Sequence, residues 1–322
     1  MLSAEINRNR KLGVEYEMTV PLVGRGSGHD VQQTLADILT ANGLRAVARG
    51  YSHDPLPSSA DFAVEHDGSI RGESEYAGIQ WYPIELKTRI LTYDEWEALV
   101  PKALDICRYM GARVNKSCGH HVHLALDEVH SRRPGPKVIR SLFNIVRRFE
   151  PVIFGLVAPS RRQSQFTRPL PDRSRLFHDC HNIRSFRQAV GRWERYYGLN
   201  LTNALASEPH VEFRYHHGTL EVEKARHWLR LCLQITQHSV TRNCQAAERQ
   251  VENSRKGFDA LRYTLGLKSN IGIYAKVSDE LKETGKYFLK RWKHFNEPAS
   301  ISGEEEKGTQ YEPPYMTARG EE

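Results

Sequence analysis

The 322 residues are 39% hydrophobic and 26% charged, enough to bury a sizeable core, and this excludes a disordered or fibrous chain. No apolar run is long enough to span a bilayer, the first residues lack the apolar stretch of a secretory signal, and the five cysteines contain no CxxC pair; a cytoplasmic protein with reduced, mostly buried thiols is expected. The formal charge of +7 calls for an anionic partner or a solvated basic face, and the absence of a zinc-finger, RRM or KH signature leaves nucleic acid as a disfavoured choice.

A first strand is expected over residues 13–20, followed by Gly24-Arg25-Gly26-Ser27-Gly28. That stretch lacks the spacing of a phosphate-binding loop and reads as a flexible turn. Val31, Leu35, Ile38 and Leu39 then mark an amphipathic helix that Asn42-Gly43 stops. Short strands are expected at 44–48, 62–66 and 84–87, with Asp67-Gly68-Ser69 as a tight turn between strands. A helix over 93–110 precedes a histidine-rich strand, and Pro136 opens a helix through Phe149. The segment 160–179 is rich in arginine and proline and reads as a long functional loop. Helices are expected at 186–197, at 221–248 and onward to about 295, with short strands at 199–201 and 211–215. Beyond Asn296 the composition turns to Glu, Pro, Ser and Gly, as in a disordered acidic tail. This irregular alternation predicts an α+β fold: an antiparallel or mixed sheet with helices on one face and the other face open.

Three of these strands carry charge where apolar residues belong. Glu15 and Glu17 flank Tyr16, His121 and His123 flank Val122, and Glu212 and Arg214 flank Phe213. Residues at i and i+2 share a strand face, so each pair points one way. Glu85, in Pro83-Ile84-Glu85-Leu86-Lys87, adds another carboxylate. Carboxylates gathered on one face repel unless cations lie between them, and hard divalent ions take oxygen ligands. His121 and His123 also suit zinc, but the position two residues after the pair is Ala125, not an aspartate; Asp127 and His130 lie in an expected loop. Glu212 with Arg214 offers a carboxylate for a metal and a guanidinium for phosphate oxygens, as phosphoryl transfer requires.

In these segments the chain resembles the amidoligase family, carboxylate–amine ligases with a glutamine-synthetase-like fold. The resemblance is carried by Gly13-Val14-Glu15-Tyr16-Glu17, by Asp67-Gly68-Ser69-Ile70 with Glu85-Leu86, by residues 115–126, and by Val211-Glu212-Phe213-Arg214 continuing into His217-Gly218-Thr219-Leu220-Glu221 and Trp228. It implies a curved antiparallel sheet whose concave face binds ATP and Mg²⁺, with Mn²⁺ as a substitute. Carried over, Glu15, Glu17, Glu85, His121 and Glu212 would ligate metal. Arg214, His123 and Asp67 would be catalytic, and Arg214, Arg161 and Asn200 would contact the nucleotide. ATP would phosphorylate a small-molecule or peptide carboxylate, and an amine would displace phosphate to leave an amide. The shared motifs spread over roughly residues 12–240; one catalytic domain is expected over 1–295, with a basic insert near 160–195 and a helical C-terminal part outside those motifs, then the tail over 296–322, and the oligomeric state stays open. Two other readings remain at this point: a zinc hydrolase built on His121 and His123, and a non-catalytic protein that binds anions through 161–195.

Overall fold

The computed structural model describes residues 2–21, 27–52, 56–71, 79–126, 136–171, 177, 180, 183–247, 249–268 and 274–297. Gly24, Gly26, Asp127, His130, part of the arginine-rich segment and nearly all of the acidic tail lie outside them.

In chain order the elements are β1 (Leu2–Ala4), β2 (Leu12–Pro21), α1 (Gly28–Ala41), β3 (Ala46–Ala48), β4 (Phe62–Glu65), β5 (Trp81–Thr88), α2 (Tyr93–Tyr109), β6 (Gly119–Ala125), α3 (Pro136–Gly155), α4 (Pro159–Arg162), α5 (Ile183–Gly191), β7 (Leu199–Asn200), β8 (His210–His217), α6 (Val222–Thr241), α7 (Arg255–Thr264), β9 (Tyr274–Val277) and α8 (Asp279–Asn296). Seven strands form one sheet in the order β3-β4-β5-β2-β6-β8-β7. Every pairing in it is antiparallel except β3 with β4. The fold is the expected α+β type. A second, two-stranded sheet pairs β1 with β9 in parallel, some 270 residues apart in sequence, which local patterning did not anticipate.

Alternation of side chains across the pleat makes one face of the large sheet the core. In register across the strands, Val14 meets Val122, Tyr16 and Val64 meet Leu86, Met18 meets Ile84, and Leu124 meets Val211. All are buried. The hydrophobic faces of α1, α2, α3 and α6 close this side: α1 packs on β3, β4 and β5, and α6 packs on β6 and against α2 and α3. At about 25 cal/mol per Å² of apolar surface, this layer supplies the main stabilising term. Local signals set the helix ends. Thr92 caps α2 through a capping box with Glu95, and Gly43, at φ +79°, follows Asn42 to end α1.

Several boundaries differ from the sequence reading. α3 continues past Phe149 to Gly155, with Pro151 accommodated inside it. α5 ends at Gly191, six residues before the expected stop at 197, and Trp193 turns inward with its Nε1 donating to the Leu199 carbonyl at 2.9 Å. α6 stops at Thr241, not at 248. The Asp67 turn is present, with Oδ1 accepting from the Ser69 N–H at 2.7 Å, and it begins the connection between the antiparallel neighbours β4 and β5. No helix among the described residues is long and apolar enough to cross a membrane. Cys107, Cys118, Cys180 and Cys232 are buried, Cys244 is half-buried, and all are free thiols.

One carboxylate sits within the helix layer. Glu150 of α3, 2% exposed, accepts from the Tyr215 hydroxyl at 2.7 Å and from the Leu170 N–H at 2.9 Å. It thereby ties α3 to β8 and to the arginine-rich segment. Burial pushes its pKa up to about 7, partly offset by those hydrogen bonds. A raised carboxyl pKa adds stability that is complete below the ordinary value near 4.5 and is lost as pH rises through 7. Urea unfolding at pH 5 and pH 8 should show Glu150→Gln gaining on wild type by about 3 kcal/mol at the higher pH. An identical pH profile for the two proteins would contradict this assignment.

Candidate active site

The opposite face of the same strands gathers the charged pairs. Register sets three rows across the sheet. In the first, Glu65 of β4 pairs with Glu85 of β5, which pairs with Glu17 of β2. In the second, Lys87 of β5 pairs with Glu15 of β2, which pairs with His121 of β6. In the third, Gly13 pairs with His123, which pairs with Glu212 of β8, which pairs with Asn200 of β7. Arg214 completes the second row, its Nη1 3.5 Å from His121 Nδ1.

The face is more enclosed than an open sheet surface, because these side chains bury one another. Glu17, Glu85, His121 and Glu212 are all buried, and so is Arg214. His121 lies at the centre: Nδ1 is 3.0 Å from Glu15 Oε2 and 3.4 Å from Glu212 Oε1, and Nε2 is 3.5 Å from Glu17 Oε1. His123 Nε2 is 3.2 Å from Glu15 Oε1, with 24% of its side chain exposed against 2% for His121. Glu17 accepts from the Gly119 N–H at 2.6 Å. A Cβ on residue 119 would stand 2.5 Å from His121 Nε2, so glycine is required where the imidazole lies back over its strand. His120, one residue on, points to the core and stacks on Tyr16 at 4.4 Å; burial pushes its pKa down to about 3 and keeps it neutral.

Electrostatics follow from crowding. Burial alone would raise every carboxylate. For Glu15 the imidazoles of His123 and His121 outweigh burial and hold it well below the usual carboxylate range. For Glu212 the Arg214 guanidinium and then His123 outweigh burial and lower it. Glu85 goes the other way: burial and then the charge of Glu15 hold it well above that range, although Lys87 Nζ lies 2.9 Å from its Oε2. The His123 imidazole is raised, because the attraction of Glu15 outweighs burial.

Three donor groups overlap on this face, with ligand atoms within 4.8 Å of one another: Glu15, His123 and Glu212; Glu15, Glu85 and His121; and Glu17, Asp67 and Glu85. Glu15 and Glu85 are each shared by two groups, as in a site for closely spaced cations. The donors are mostly carboxylate oxygens, which fit Mg²⁺ or Mn²⁺. None of these groups among the described residues contains both histidines, so the two-histidine zinc arrangement is not assembled.

The remaining sequence candidates reach the site indirectly. Asn200 Nδ2 donates to Glu212 Oε2 at 2.8 Å, and its Oδ1 accepts from Thr202 N–H and Oγ1–H, so it positions Glu212. Arg161, 1% exposed, donates from Nη2 to the Arg214 carbonyl at 2.9 Å, which Thr167 Oγ1 also reaches at 3.1 Å. Its interior position lowers its pKa to about 10 through burial, against the pull of Glu17. Asn200 thus orders the Glu212 side chain and Arg161 the Arg214 backbone, contacts that the sequence alone does not reveal. That reading also passed over Glu65, fully buried between Arg49 Nε at 2.6 Å and Lys87 Nζ at 2.9 Å. Glu65 ends a strand that had been recognised, and its position opposite Glu85 was the missing signal.

Comparison with known proteins follows the same residues. A family described as "Putative amidoligase enzyme" matches residues 8–236, and the chain belongs to that family. No curated protein sequence matches significantly. Among solved structures, the chain is similar to one titled "Crystal structure of the complex between Prokaryotic Ubiquitin-like Protein Pup and its Ligase PafA", at 9% identity and a TM-score of 0.37. That similarity covers 90% of this chain and 64% of the other, so this chain spans less than two thirds of its length.

The raised Glu85 carboxyl makes a prediction for the metal-free protein at pH 8. Glu85→Gln removes a charge that burial and its neighbours disfavour, and should raise Tm by about 2–5 °C. The same variant should bind Mn²⁺ at least about tenfold more weakly in a calorimetric titration. A lowered Tm would show that Glu85 is stabilising as an anion.

Proposed function

We propose that this amidoligase-family chain is an ATP-dependent carboxylate–amine ligase that works through an acyl phosphate. The observation that supports it is the face itself: buried carboxylates in overlapping donor groups, with Arg214 beside them. Glu15, Glu17, Glu85, His121 and Glu212 would hold Mg²⁺ or Mn²⁺, which would neutralise the approach of a carboxylate to a triphosphate.

The chain's own residues have distinct duties in this reading. Arg214 is fixed through its backbone by Arg161 and Thr167, and its guanidinium ion-pairs with Glu212. It is placed to trade that partner for the equatorial oxygens of the transferred phosphoryl group. A substrate carboxylate oxygen attacks the γ-phosphorus and ADP leaves. The amine nitrogen then attacks the acyl carbon, phosphate leaves, and the amine gives up a proton. His123 is the more exposed of the two imidazoles on this face and is our candidate to accept it once Glu15 is drawn from it to a bound cation. Asp67 would complete the metal group of Glu17 and Glu85. The acid and the amine would be small molecules or peptides, and a cytoplasmic setting would supply the nucleotide.

The test is to incubate the purified chain with ATP, Mg²⁺ and a panel of amino acids and acidic peptides, using hydroxylamine as the trapping amine. Acid-dependent release of phosphate together with an equal amount of hydroxamate is expected. Glu15→Gln and Glu212→Gln should each lower the rate by at least about a thousandfold. Full turnover in both variants would rule out this face as the site.

A further inference from the structure

Glu212-x-Arg214 on β8 has a counterpart on β5. Glu85-x-Lys87 repeats it: a carboxylate of a donor group, with a cation two residues on along the same face. Lys87 and Arg214 stand at opposite ends of one row, with Glu15 and His121 between them. Three strand spacings separate them, about 14 Å of sheet. Each cation rests on its own strand's carboxylate, Lys87 on Glu85 at 2.9 Å and Arg214 on Glu212.

Glu65 shows which contact of Lys87 is permanent. It is fully buried and opposite Glu85, yet among the described residues it joins none of the donor groups. Its oxygens accept from Arg49 and from Lys87. The ring of Tyr51 covers the ammonium at 4.5 Å. A divalent ion on Glu85 must displace the ammonium from that carboxylate, since two cations on one oxygen repel at short range. Lys87 would keep Glu65 and Tyr51 and be left with an unfilled hydrogen-bond direction on the site face. The side chain is 14% exposed, so an incoming group can reach it.

We infer that Lys87 is a second oxyanion-binding residue of this site, anchored by Glu65, and that it takes a phosphate or carboxylate oxygen at the β4 end while Arg214 serves the β8 end. The inference rests on the ligase reading for what the anion belongs to, but not for its existence.

Titration calorimetry on the full chain separates the possibilities. Mn²⁺ is titrated first, then either the non-hydrolysable nucleotide AMPPNP or inorganic phosphate is added to the Mn²⁺-loaded protein. Lys87→Met should bind Mn²⁺ at least as tightly as wild type and lose at least about tenfold in anion affinity, and Lys87→Arg should recover most of that loss. Loss for AMPPNP assigns the oxygen to the nucleotide; loss for phosphate alone supports the inference with an oxyanion other than the nucleotide's phosphates. Wild-type anion affinity in Lys87→Met overturns the inference and leaves the ligase reading standing. Lys87-dependent phosphate binding without any AMPPNP binding supports the inference and sinks the nucleotide reading. A wild-type protein that binds neither anion overturns both.

Discussion

The mutual repulsion of buried carboxylates organises this molecule. Glu15, Glu17, Glu65, Glu85 and Glu212 project onto one face from the adjacent strands β4, β5 and β2 and from β8 beyond β6, and most are closed off from water. Such a cluster is tolerable only if opposite charge is interleaved or if protons are retained. The protein uses both remedies. Imidazoles and Arg214 hold Glu15 and Glu212 ionised, and Arg49 and Lys87 surround Glu65. Glu85 is left favouring its proton. The helix layer behind supplies the stability that such crowding consumes.

Much of this was legible in the sequence because strand periodicity is strict. Once Val14, Tyr16 and Met18 are read as core, Glu15 and Glu17 have only one direction left, and the same reasoning places His121 and His123 together and His120 apart. What local patterning could not supply was adjacency between strands. Glu65 and Lys87 sit beside the site only because β4 pairs with β5 and β5 with β2; as isolated residues, one ends a short strand and the other looks like an ordinary surface lysine. The inner contacts of Arg161 and Asn200 were hidden for a related reason: no local pattern shows that the fold draws Arg161 under β8 to hold a backbone carbonyl or sets Asn200 against Glu212. α5 ends before 197 although apolar residues continue beyond it, because Trp193 packs inward outside the helix, and α6 ends at Thr241.

The two sides of the sheet are mechanically joined through β8. Tyr215 engages Glu150 in α3, and Glu150 in turn holds the backbone at Leu170, a few residues past Phe166 and Thr167, which reach Arg214. The arginine-rich segment therefore acts as a strap: it starts beneath Arg214 and returns to the helix layer. Tension or slack in that strap would be felt at the guanidinium before it was felt at the carboxylates of β2 and β5.

Along β8 the pairing with β6 slips by one residue between Phe213 and His216. Before the slip, even-numbered positions face the site; after it, His216 turns to the opposite side, where it meets His120 edge-on and packs at a tilt on Trp228. The bulge is thus a parity switch. It lets one continuous strand present Glu212 and Arg214 forward and then Tyr215 and His216 backward in succession. Substitutions in this stretch alter one contact each, but the gain or loss of a single residue would exchange the audiences of all those that follow. Length, more than identity, is the property that this strand can least afford to vary.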